Sequence, residues 1–298
     1  MTFDTLLVPT DGSEPAETAA RRGFDLAEAL GAEVHVLSVA DSSLATGAGY
    51  SGDSPSIRKR LRENATERSE ALAETARARG LDTTAAIREG IPASEIVDYA
   101  AGEGTDMIAL GTSGRGGVAR AIVGSVADKV VRTASVPVVT MNAAAVEVTS
   151  PDSFESILVP TDGSEPATAA ADSALALAEQ LDATVHLFSV ADPAIEGTLP
   201  SIFDDQAESA SPLLEAAGDH LGAVADAASE RGLEFITATT EGKPAAEILE
   251  YADREAVDLI AMGTAGRGGF QRALVGSVTD SVVRKASVPV VTFRPADD

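Results

Sequence analysis

Ten consecutive residues, Leu7 to Ala16, read LVPTDGSEPA, and Leu158 to Ala167 repeat them letter for letter. Toward the end of each half, Gly111–Thr140 and Gly263–Thr292 match at 23 of 30 positions, in a register only one residue different from the first match. Two copies of one domain explain both matches, and a period near 151 residues is far too long for a solenoid repeat. The 298-residue chain is therefore expected to hold a first domain at 1–142, a linker at 143–152 and a second domain at 153–298, each of ordinary domain size. The linker falls in the run Asn142–Asp152, NAAAVEVTSPD.

Within one copy, short apolar runs alternate with helical patterns. Thr5–Pro9 is a buried strand, after which Ser13 and Pro15 supply a cap and a first-turn proline for a helix to about Leu30. The strand Glu33–Val39, a polar loop, a helix from about Ser56 to Arg79 stopped by Gly80, and the strand Thr83–Arg88 follow. A helix from Ala93 to about Glu103, the strand Met107–Leu110, a glycine-rich loop, a helix from about Gly117 to Ala134 and the strand Val136–Thr140 complete the copy. Five strands alternating with helices demand a parallel sheet covered on both faces through right-handed crossovers. The expected fold class is thus α/β, with two tandem, doubly wound, five-stranded, Rossmann-like domains. In such sheets ligands bind beyond the carboxyl ends of the strands, where strand order reverses. The turn Pro9–Gly12 and the loop Gly111–Gly117 both belong to those ends.

Composition narrows the function classes. With 47 acidic against 22 basic residues the net charge is −25, which argues against a general nucleic-acid binder and against attachment to anionic lipid by charge. No Cys is present and only 3 His, so disulfides, thiolate zinc sites and cysteine nucleophiles are excluded and a metal cluster has little to draw on. The N-terminus lacks the pattern of a signal peptide, and no apolar run is long enough for a membrane helix, so a soluble, cytoplasmic protein is expected. Only Lys59, Lys129, Lys243 and Lys285 are lysines, and aromatics are 4%. A lysine-poor, carboxylate-coated surface resembles that of salt-loving, halophilic cytoplasmic proteins and implies stability that rises as salt screens the repulsion.

The glycine loop carries the main chemical signal. Gly111-Thr112-Ser113-Gly114 follows a buried strand, and Gly124-Ser125 follows nine residues later; Gly263, Gly266, Gly276 and Ser277 keep the spacing in the second copy. Glycine lets the backbone approach a ligand and present amides to phosphate oxygens, while the serines offer hydroxyls. No Walker loop is present, and neither copy gives a G-x-G-x-x-G fingerprint at the first strand. Glycines after a strand also serve as plain turns, but charge favours an anion: Gly111–Thr140 and Gly263–Thr292 each carry a local net of +3, leaving −31 for the rest of the chain. Arg115 and Arg267, inside the loops, are the phosphate candidates. Arg132 and Arg284, farther along, are expected to balance acidic helices or to face the partner domain.

On these residues each half resembles the universal stress protein family from end to end. The resemblance rests on Val-Pro-Thr-Asp-Gly-Ser at the first strand, Gly90-Ile91-Pro92 or Gly242-Lys243-Pro244 before the third helix, and the closing Ser-Val-Pro-Val-Val. The spacing G-x2-G-x9-G-[S/T] looks like that of the family's ATP-binding branch, and the resemblance implies an adenine nucleotide alpha hydrolase-like fold. It also implies that Pro9, Asp11 and Val39 border adenosine, while Gly111, Gly114, Gly124 and Ser125 hold ribose and phosphates. Pro160, Asp162, Val190, Gly263, Gly266, Gly276 and Ser277 take the same roles in the second half. The implied ligand is ATP with magnesium, which Asp11 and Asp162 would support indirectly, although Asp is also a common turn residue.

The closing segments Ser135–Val139 and Ser287–Val291 would leave exposed sheet edges if unpaired. Single-domain members of the family pair through this strand, which implies an internal pseudo-twofold dimer here, open to further homo-oligomerisation. The leading reading is an ATP-binding regulatory or stress-response protein. A slow ATPase or phosphotransferase, and a scaffold with a vestigial loop, stay open as alternatives. No repeated His, Glu or Lys arrangement beside the loop marks a general base. His35 and His186 occupy equivalent places before the binding end of a strand, which favours a structural role; His220 is given no counterpart.

Overall fold

The computed structural model describes residues 1–42, 55–112, 124–147, 154–193, 212–265 and 275–294. In the first half, β1 (Thr5–Thr10) leads to α1 (Glu14–Leu30), whose Ser13 cap accepts the Ala16 amide and whose Pro15 sits in the first turn. Then come β2 (Glu33–Asp41), α2 (Pro55–Ala78), β3 (Thr83–Gly90), α3 (Pro92–Gly102), β4 (Met107–Gly111), α4 (Ser125–Thr133), β5 (Val138–Met141) and the short α5 (Ala143–Glu147). The second half repeats the plan. It runs β6 (Ser156–Pro160), α6 (Glu165–Leu181), β7 (Thr184–Ala191), α7 (Pro212–Glu230), β8 (Phe235–Glu241), α8 (Pro244–Arg254), β9 (Leu259–Gly263), α9 (Ser277–Lys285) and β10 (Val290–Phe293).

All ten strands form one sheet in the order β3-β2-β1-β4-β5-β10-β9-β6-β7-β8, parallel within each half and antiparallel where β5 meets β10. Burial explains the runs of Leu, Ile and Val: β4 and β9 are covered on both faces, so they need no polar alternation. On one face α1, α2, α6 and α7 close a core that is continuous across both halves, with Phe24, Ala73, Leu175 and Leu221 in it. On the other face α3 and α4 close a separate core around Tyr99 and Val130, and α8 and α9 close its counterpart around Tyr251 and Val282.

The expected pairing of the last strands is what joins the halves. Val138, Val139 and Thr140 lie opposite Thr292, Val291 and Val290. The Thr140 hydroxyl donates to the Val290 carbonyl and the Thr292 hydroxyl to that of Val138, both at 3.2 Å, so the seam satisfies its buried threonines reciprocally. Beyond the strands, the Asn142 amide donates to Val283 and Ala286 carbonyls at the end of α9. Gln180 of α6 also ties the halves together, its side-chain oxygen accepting the Phe3 amide and its NH2 donating to the Phe3 and Leu30 carbonyls.

Two sequence expectations are corrected. The fourth helix does not run unbroken from Gly117 to Ala134: Gly124 is extended and donates to the Thr112 carbonyl at 2.6 Å, so the described helix begins at Ser125. The fifth strand begins at Val138, not Val136, because Pro137 has no N–H to give the ladder, although its carbonyl still accepts from Ile108. The run between the halves opens as α5, because the Asn142 side-chain Oδ1 accepts the amides of Ala144 and Ala145 and the Ala145 methyl is fully buried.

Candidate functional site

β1 lies between β2 and β4, where strand order reverses. It pairs with β2 through Thr10, but with β4 only at Leu6 and Leu7. β6 and β9 likewise pair only at Ile157 and Leu158. Past those positions the two central strands of each half part, and a crevice opens at their carboxyl ends, the place such sheets use for ligands.

On one side of the crevice the chain turns sharply from strand to helix. The Thr10 hydroxyl accepts the Gly12 amide, Asp11 Oδ1 accepts the Ser13 amide at 3.0 Å, and Gly12 takes a left-handed φ of 74°. Thr161, Asp162 and Gly163 repeat the turn, with φ 73° at Gly163. Asp11 and Asp162 thus order their own turns. Pro9 lies one residue before the end of β1 and Pro160 ends β6, both half-buried, and Val39 and Val190 lie half-buried near the ends of β2 and β7.

On the other side, Gly111 and Gly263 end β4 and β9. A Cβ at Gly263 would come within 3.2 Å of the Ala170 Cβ, so close packing of α6 is one reason for glycine there. Gly124 and Gly276 stand at the N-caps of α4 and α9 without a side-chain cap, and Ser125 and Ser277 are exposed in the first turns. The first-turn amides therefore have no side-chain acceptor of the kind that Ser13 gives α1. Gly114, Arg115, Gly266 and Arg267 lie outside the described residues.

The other basic residues of the two repeated segments divide. Arg132 grips Asp128 through two hydrogen bonds and Arg284 grips Asp280 in the same way, which holds both guanidiniums further in the charged form. Asp280 and Arg284 also act on Arg132 across the seam. Lys129 donates to Ser94. His35 and His186 stand away from the crevice, each with Nδ1 3.1 Å from a tyrosine hydroxyl, Tyr99 and Tyr251 respectively. Burial lowers the His186 pKa and raises that of both tyrosines. A cavity of about 550 Å³ between Glu28, Glu33, Arg79 and Asp82 sits at the opposite, amino end of the strands, and its Arg79 is engaged by Asp25 and Glu28.

Sequence reasoning passed over two side chains beside the crevice. Arg68 of α2 packs on Gly12, where an added Cβ would meet its Cδ at 2.8 Å, and His220 of α7 packs on Gly163. Counting back from Gly80 and Gly232, which follow the two helices, puts them at equivalent places; His220 therefore has a counterpart after all.

A model of the universal stress protein family matches residues 2–141 and again 153–294. The chain belongs to the universal stress protein family. A universal stress protein of Methanocaldococcus jannaschii is 37% identical over 142 residues, which are 47% of this chain and 82% of the relative. One from Mycolicibacterium smegmatis is 30% identical over 220 residues, 72% of this chain and 70% of its own length. Among solved structures, a universal stress protein from Archaeoglobus fulgidus superposes with a TM-score of 0.70 at 23% identity, over 100% of this chain and 98% of the other, a likeness of fold. Among the described residues of this universal stress protein, no helix is long and apolar enough to cross a membrane.

Proposed function

We propose that each half of the protein binds an adenine nucleotide, ATP foremost, and that occupancy serves a regulatory or stress-response role. The observation that carries this reading is the parting of β1 from β4 after two paired residues, repeated between β6 and β9, where strand order reverses. Pro9, Asp11 and Val39, with Pro160, Asp162 and Val190, border the adenosine side. Gly111, Gly124 and Ser125, with Gly263, Gly276 and Ser277, border the phosphate side, and Gly114, Arg115, Gly266 and Arg267 complete it by sequence. The residues fit such a group: helix first turns without a side-chain cap suit oxyanions, and glycine at the N-cap keeps the backbone within reach. Magnesium would ride on the phosphates, with Asp11 and Asp162 in indirect support.

Mass spectrometry of the gently purified protein, followed by calorimetric titration, tests the reading. Adenine nucleotide should be released, and stripped protein should take up ATP at two sites, one lost in Gly114→Val and the other in Gly266→Val. Protein that carries no nucleotide and gives no heat with ATP and magnesium would overturn it.

A further inference from the structure

The two crevices are lined alike by β1 and β6 but are flanked by helices of different charge. α2 carries six basic residues, Arg58, Lys59, Arg60, Arg62, Arg68 and Arg77, against four acidic ones. α7 carries four acidic residues and no lysine or arginine. The difference reaches the crevice itself through equivalent side chains: Arg68 rests on Gly12, next to Asp11, whereas His220 rests on Gly163, next to Asp162.

What lies behind these side chains also differs. Ser189 of β7 has its hydroxyl 3.4 Å from His220 Nδ1, so the imidazole is turned inward to a buried partner. The equivalent Ser38 of β2 is fully buried, and its hydroxyl meets no hydrogen-bond partner among the described residues. The Arg68 guanidinium stays charged throughout the ordinary pH range, whereas an imidazole does not.

We propose that Arg68 and His220 are specificity-determining residues that make the two nucleotide sites unequal. The first half prefers nucleotides bearing a polyphosphate, and the second distinguishes them less from the uncharged nucleoside. The inference rests on the proposed nucleotide reading and deepens it. The physical reason is the charge that each helix brings to the turn beside its crevice. Arg68 carries a fixed positive charge to the turn at Gly12, which attracts the anionic phosphates, whereas α7 brings His220 to the turn at Gly163 and has no arginine or lysine. Adenosine, without charge, is indifferent to the difference.

Titration of the full chain with ATP and, separately, with adenosine decides the matter. The parent should show two classes of ATP site about tenfold apart, the ratio that one charge-assisted contact supplies, but a single class for adenosine. Arg68→His should merge the ATP sites at the weaker affinity, Arg68→Lys should restore the gap, and His220→Arg should tighten the second site. Histidine is already accommodated at this place in the second half, and a melting curve matching that of the parent shows the fold intact. Two ATP sites of equal affinity in the parent, or an unchanged gap in Arg68→His, would overturn this inference while leaving nucleotide binding standing. A parent that binds neither ATP nor adenosine would overturn both.

Discussion

The seam between the halves and the outer flanks of the sheet obey different rules. The segments that end β4 and β9 and form α4, β5, α9 and β10 agree at 23 of 30 positions, while α2 and α7, at one place in the fold, differ in charge throughout. The seam is symmetric: Val139 lies opposite its own counterpart Val291, Thr140 bonds across to Val290 as Thr292 bonds to Val138, and the Asp128–Arg132 pair lies in the field of Asp280 and Arg284. A change in one copy is therefore felt by both. On the flanks, among the described residues, α2 packs on β2, β3 and α1 and α7 on β7, β8 and α6, all of the same half, so only the inward face is held. Ala65, Leu72 and Ala76 of α2, with Ala217, Val224 and Ala228 of α7, are buried at matching places, whereas the outward residues differ freely.

The largest effect should come from placing a charge in the seam. Val291 is fully buried opposite Val139, and Val291→Asp would strand a carboxylate without a partner at a cost of roughly 4 kcal/mol or more, enough to unfold most domains. Ile236→Asp on the outer strand β8, half exposed, should stay within about 0.5 kcal/mol. Urea denaturation of both variants measures the contrast, and equal losses would break the distinction between seam and flank. Next in size is Asn142, which makes four hydrogen bonds, two of them to the other half. Asn142→Ala should cost about 2 to 3 kcal/mol by leaving buried carbonyls and amides unmet. Its counterpart Arg294 reaches the Ala134 carbonyl at 3.4 Å, and Arg294→Ala should cost under about 1 kcal/mol. A reversed order would show that the seam is held from the other side.

The fold was legible because periodicity and punctuation agreed. Ser13 and Pro15 start α1, Gly31 and Gly80 lie just past α1 and α2, and the apolar runs are the central strands. An apolar last segment marked an edge that needs covering, and the family resemblance implied that the two last strands cover each other. The start of α4 was not legible, since helical spacing runs through Gly124, and only the bond of its amide to Thr112 ends the helix there. In the site, the turns at Asp11 and Asp162 and the glycines Gly111 and Gly263 could be placed at the strand ends from the sequence, whereas the caps at Gly124 and Gly276 could not. Arg68 and His220 could not, because they reach the turns from helices about 57 residues away in sequence, and nothing local marks the approach.

The smallest effect sharpens the comparison within the flanks. His186 on β7 is buried against Tyr251, and burial lowers its pKa from the ordinary value of 6.5. The folded state therefore resists the proton that the unfolded chain accepts. Above about pH 6.5 both states carry a neutral ring and stability is whole; as pH falls below that value the unfolded state binds more protons and stability is lost, until the folded-state pKa is also passed. His35, the counterpart on β2, differs in having the Glu33 carboxylate 3.1 Å from Nε2, where the second half has Thr184 in the paired position. His186→Gln keeps an acceptor for the Tyr251 hydroxyl but cannot take up the proton. Melting curves between pH 7.5 and pH 5, a range above the titration of most carboxylates, should show the variant losing less stability than the parent. Parallel losses in the two proteins would mean that the ring is protonated in the fold as readily as outside it, and that burial against Tyr251 does not set the second flank apart.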